Sequence, residues 1–164
     1  MNSHADMVTA PGDLPMISVP YAKFGGAADG FQHAHATTLA LPTVVERLRA
    51  AIEAAAMWVL DEINPQALLS RGGYVISPAR QLLFFHPKYM ARLLAADPSA
   101  LLEAPLKFAK LELPDRSVWV RYLDPIDAFA RYQSPDLRAL GVELAALSHE
   151  IVTTGLGQQP SESR

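Results

Sequence analysis

Two rhythms of apolar residues alternate along the chain. Val44, Leu48, Ile52 and Ala55 recur at helical spacing, with Glu46, Arg49 and Glu53 between them. That pattern predicts a helix with one buried face. Thr43 and Glu46 stand at T-x-x-E spacing, so the helix is expected to open with a capping box that satisfies two orphan N–H groups. Residues 57–63 then carry Trp58, Val59, Leu60 and Ile63, and a second run reads Leu82-Leu83-Phe84-Phe85. A short unbroken apolar run of this kind predicts a strand covered on both faces. In 106–113 the period becomes two: Leu106, Phe108 and Lys110 fall on one side, and Lys107, Ala109 and Leu111 on the other. Val118, Val120 and Tyr122 alternate in the same way with Trp119, Arg121 and Leu123. Pro114-Asp115-Arg116-Ser117 between them is a turn by composition, which makes 106–123 a hairpin. Residues 33–40 supply a further strand.

Five dipeptides punctuate this pattern: Asn64-Pro65, His86-Pro87, Asp97-Pro98, Asp124-Pro125 and Ser134-Pro135. Proline suits the first helical position, because its missing N–H needs no partner there and its φ is already near helical. The residue before it is pushed to extended geometry. Each pair therefore predicts a helix start, and Asn, Asp and Ser are strong N-caps. His86 is the unusual choice. The last helix is expected over 135–154, with Gly155 as its stop. Leu137, Leu140, Leu144, Leu147 and Ile151 form a three-four seam along it, suited to a helix partner within the chain or across a dimer.

The elements add up to an α+β domain over 33–156, with an antiparallel or mixed sheet of about four to five strands covered by helices. Residues 1–32 hold three prolines and four glycines without sustained periodicity and read as an irregular arm. Its apolar side chains suit a covering role over the domain or over a partner subunit. Residues 157–164 read as a polar tail.

Composition narrows the chemistry. There are 164 residues and no cysteine, which removes disulfides, thiol catalysis and cysteine-held metal centres. A net charge of -3 gives no global attraction to nucleic acid. No apolar run approaches the ~20 residues that span a bilayer, and the first residues lack a signal-peptide pattern. A cytoplasmic protein that binds neither nucleic acid nor membrane is expected. Gly25-Gly26-Ala27-Ala28-Asp29-Gly30 fits neither dinucleotide nor P-loop fingerprints. No serine lies in G-x-S-x-G, and Asp61 and Glu62 on one strand point to opposite faces.

What remains are binding candidates. His86 and Met90, four apart, face one side of a helix, and with His149 they are candidate ligand, metal or haem contacts. His33 and His35 place two imidazoles on one strand face, which suits a metal. Arg71, Arg80, Lys88 and Arg92 gather around the strand–helix unit at 81–95 and are candidate anion contacts. Against each stands a plainer account: a capping His86 beside a core Met90, a packed His149, and solvated charges.

With these elements placed, residues 33–156 resemble the domain of unknown function 302 (DUF302) family, with its TT1751-like fold. The resemblance rests on Thr43-Val44-Val45-Glu46-Arg47-Leu48, Trp58-Val59-Leu60-Asp61-Glu62-Ile63 and Phe84-Phe85-His86-Pro87. Asp97-Pro98, Pro105-Leu106-Lys107, Asp115, 118–122 and Asp124-Pro125 complete it. The family position before the hinge proline is often Asn; here it is His86. The resemblance implies a small α+β protein that tends to dimerise, and it brings no catalytic residue. The expected function is a non-enzymatic, dimeric module that binds a small ligand or a partner. The alternative is a metal or haem protein using His86.

Overall fold

The computed structural model describes residues 15–21 and 30–159. Most of the glycine-rich stretch before Gly30 and the end of the tail lie outside the described residues. A short strand β1 (Ile17–Ser18) is followed by β2 (Gln32–Thr37), α1 (Leu41–Ala54), β3 (Trp58–Ile63), α2 (Pro65–Arg71) and β4 (Tyr74–Val75). Then come β5 (Ala79–Phe85), α3 (Pro87–Ala96), a 3-10 turn (Pro98–Glu103) and the hairpin β6 (Leu106–Glu112) and β7 (Val118–Leu123). The chain closes with α4 (Pro125–Ala130) and α5 (Pro135–Leu156).

Five strands form one antiparallel sheet in the order β2-β7-β6-β5-β3. The expected hairpin is present, and its register sets Lys110 opposite Val120 and Ala109 opposite Arg121. The period-two pattern separates two faces. Leu82, Phe84, Phe108, Val118, Val120 and Tyr122 share the inner face and join the core with Val44, Leu48 and Ile52 of α1 and Leu137, Leu140 and Leu144 of α5. Leu83, Ala109, Leu111 and Trp119 on the outer face are only half-buried. The central strand is β6, and β5 lies beside it.

The proline rule holds at every one of its five sites. The side chains of Asn64, His86, Asp97, Asp124 and Ser134 each accept a backbone N–H of the helix they precede. Two other expectations are corrected. The capping box is not formed: α1 begins at Leu41, with Ala40 as N-cap and no side-chain cap bond. Pro42 stabilises the first turn and draws the helix start upstream, which leaves Thr43 inside it. Gly155 does not stop α5; Gly157 does, at φ 67°. Gly155 is buried, and a Cβ there would come within 2.8 Å of Leu48 Cδ2. Its role is the close approach of α5 to α1.

The seam of α5 finds its partner inside the chain. Leu137, Leu140, Leu144 and Ile151 are at most 1 % exposed. The described part of the arm also lies on its own domain. β1 pairs in parallel with β4, through Ile17 N to Gly73 O at 2.8 Å and Val19 N to Val75 O at 2.9 Å. The Tyr21 hydroxyl adds a bond to the Ser77 carbonyl. Among the described residues, no helix is long and apolar enough to cross a membrane.

Candidate functional site

A cavity of about 460 Å³ lies where β6 begins and β7 ends. Phe84, Phe108, Tyr122 and Phe129 form its apolar wall, and Ala128 of α4 and Ser148 of α5 close it. The packing of α4 on α5 that brings these two together depends on Gly141, whose Cβ would meet the Pro125 carbonyl oxygen at 2.9 Å. Polar groups stand among the lining. Arg121 Nη1 donates to Gln32 Oε1 at 3.1 Å, and Glu103 accepts from the Tyr132 hydroxyl at 2.8 Å. Both Glu103 and the Arg121–Gln32 pair line the cavity, together with Lys107. A mainly apolar concavity with a few polar groups is the usual form of a small-molecule site, and the volume lies in the usual range.

Tyr122 joins this cavity to a histidine cluster. On the inner face, His33 stacks on the Tyr122 ring at 5.0 Å between centroids, and His35 does so at 6.0 Å. His149 comes from α5 to within 5.9 Å of His35. His33 Nε2 lies 3.3 Å from Asp124 Oδ2. Gln158, in the stretch read as a polar tail, donates from Nε2 to the Ala36 carbonyl at 2.9 Å. Its oxygen is thereby turned to His35 Nδ1, at 3.3 Å. That contact needs the proton on Nδ1. Burial holds the His35 pKa below the usual imidazole value; the Gln158 bond opposes this, and His149 and His33 add to the lowering. Burial, reinforced by Asp124, pushes the Tyr122 phenol up to about 12.

The structure thus brings together three of the candidate residues, His33, His35 and His149, and separates them from the other two. His86 stands at the end of β5, with β6 and β7 between it and β2. At about 4.8 Å per strand that is roughly 14 Å. His86 Nδ1 accepts from Lys88 N at 3.1 Å, and its ring meets Trp58 edge-on. Met90 packs half-buried against the core. Among the described residues, no group of three or more His, Asp or Glu side chains is placed to hold a metal ion.

The four basic candidates do not converge on one point either. Arg92 is held by Glu143 in a two-pronged pair at 2.7 and 2.9 Å, and Lys88 lies over the Tyr89 ring. Arg71 ends α2. Arg80 donates to the Ala79 carbonyl at 2.7 Å and to Asn64 Oδ1 at 2.9 Å, and its Nε is 3.9 Å from Glu62 Oε1.

Sequence reasoning read Asp124 only as a helix cap and Tyr122 only as an inward strand residue, and it passed over Gln158, which no motif marks. It also passed over Lys110, although the alternation places that residue in the same rank as Phe108. Lys110 is 0 % exposed. Its Nζ is the one buried side-chain nitrogen or oxygen without a hydrogen-bond partner among the described residues.

The sequence pattern of a domain of unknown function, DUF302, matches residues 33–153. The chain belongs to the DUF302 family. No curated protein matches it. Among solved structures, the crystal structure of an uncharacterized conserved DUF302 protein from Bacillus stearothermophilus superposes with a TM-score of 0.69 at 16 % identity. The match covers 79 % of this chain and 98 % of that one. At that identity the likeness shows the fold alone: the DUF302 architecture is a five-stranded antiparallel sheet with helices packed on it.

Proposed function

We propose that this DUF302 chain is a binding protein, not an enzyme, and that its ligand is a small amphiphile held in the cavity beside β6. The observation that carries this reading is the cavity itself. Four aromatic side chains wall about 460 Å³, and Arg121 and Lys107 stand in the same lining. An apolar body with an anionic head matches both features. The dye anilinonaphthalene sulfonate has that chemistry and reports its own burial. One dye per chain, bound saturably, is the expected titration. Ser148→Leu and Ala109→Phe both fill the lining and should each weaken binding by roughly tenfold or more. Circular dichroism and unfolding curves guard against misfolding. No saturable site in the native chain, or unchanged affinity in both folded variants, would reject the cavity.

The same reading includes a homodimer. With the α5 seam used inside the chain, the support lies at β1 and β4, where Ile17 is 58 %, Tyr74 43 % and Val75 46 % exposed. Clustered large apolar residues of this kind mark contact surfaces, and a second copy of the chain is the commonest occupant. Light scattering should give twice the chain mass, and Ile17→Lys with Val75→Lys should give the monomer. A monomeric wild type at micromolar concentration would remove the dimer from the reading.

A further inference from the structure

Lys110 has a neighbourhood that the amphiphile cavity does not use. On the inner face, β5 and β6 place Arg80 directly opposite Lys110, with Cβ atoms about 5 Å apart for such a pair. Arg80 and Glu62 in turn line a second cavity, of about 280 Å³, against Leu41, Pro42, Val45 and Glu46 of α1. Arg80 therefore faces Lys110 across the two strands and also lines this concavity. Glu62 is the nearby carboxylate, and it is already engaged by Arg49 at 2.6 Å. The amine is buried without a hydrogen-bond partner, and the charges of Arg49 and Arg80 bear on it.

A lysine in such a place loses its proton easily. Burial lowers its pKa to about 7, with Arg49 and Arg80 adding to the fall and Glu62 opposing it. Desolvation next to another cation is the arrangement that turns a lysine amine into a nucleophile at neutral pH. Arginine, in its turn, is the side chain that grips a carboxylate in a fixed geometry. A 2-oxo acid carries a carboxylate and a carbonyl on adjacent carbons, and so matches the two residues at once.

We propose that Lys110 is a covalent capture site for small oxo acids, which it binds as imines while Arg80 holds their carboxylate. The neutral amine adds to the carbonyl carbon to give a carbinolamine. Loss of its hydroxyl with a proton, as water, leaves the C=N bond. No electron is transferred and no other reactant is needed. This site is separate from the aromatic cavity, so either can fail without the other.

Reductive trapping tests it. The full-length protein is incubated near neutral pH with glyoxylate and cyanoborohydride, and each lysine is followed by peptide mass spectrometry. Lys110 should be modified at least roughly tenfold faster than Lys23, Lys88 and Lys107, which serve as internal controls. Formaldehyde, which has a carbonyl and no carboxylate, is the second probe. Arg80→Leu should slow trapping of glyoxylate at Lys110 and spare that of formaldehyde. A variant that had lost its fold would instead alter both rates. A Lys110 modified no faster than the other lysines overturns the capture site. In an Arg80→Leu protein shown to be folded by circular dichroism, equal effects on both probes overturn the oxo acid as its ligand.

Discussion

Leu144→Ala is expected to lower the unfolding free energy by about 2–5 kcal/mol. Leu144 is 0 % exposed and sits mid-helix on α5, in the same core as Leu48 and Ile52 of α1 and Phe108 of β6. Truncation removes buried methyl groups and leaves a void that close-packed neighbours fill only in part. The helix itself is not at issue, since alanine is the better helix former. Val142, two residues away on the same helix, is 55 % exposed, and Val142→Ala should change stability by no more than about 0.5 kcal/mol. Urea unfolding of both variants gives the comparison. If Leu144→Ala matched Val142→Ala, the α5 seam would not be part of the core.

The seam was legible because leucine at three-four spacing has few other uses. Its partner was not legible, because the same stripe serves a helix of the same chain or of another. The choice was made by Gly155 and Gly141, whose missing side chains let α5 approach α1 and α4. A sequence shows a glycine near a helix end, and a stop is the commoner meaning. The helix starts were legible for a local reason: a cap and a proline act within one turn. The exception was α1, where Pro42 outweighed the box formed by Thr43 and Glu46.

The candidate sites divide along the same line. His33 and His35 share a face by period two, and this is local. That His149 joins them depends on α5 bringing its ring to that of His35, which is tertiary. His86 was readable as a cap from Pro87 alone, and it is one. The aromatic cavity draws its lining from β2, β5, β6, β7, α4 and α5 together, and no spacing within one element announces it. Lys110 lies between these cases. Its rank was visible in the alternation, yet a lysine in an inward rank is ordinarily expected to extend its amine to solvent. Here β6 is the middle strand, and no edge is within reach.

Lys110→Met is expected to stabilise the protein, most strongly in neutral to mildly acid solution. The methylene stem is kept, and an amine that is buried without a hydrogen-bond partner is replaced by a group that needs none. The pH dependence follows from the proton. Lys110 titrates at about 7 in the folded chain against an ordinary value of 10.5. Between those two values the unfolded chain holds the proton and the folded chain does not. Unfolding therefore takes up a proton, and wild-type stability rises with pH across that window. Below about pH 7 both states are protonated, and the folded state carries the whole penalty, on the order of 3–5 kcal/mol. Methionine has no proton to lose, so the gap between variant and wild type should be widest near pH 6 and should close towards pH 10. His35 and Tyr122 titrate in both proteins and cancel in the difference. Urea unfolding of the pair at several pH values measures the gap directly. A gap that stays flat would mean that the ammonium is as well accommodated in the folded chain as in water. A gap that narrows as pH rises would show that the buried ammonium costs the folded state stability.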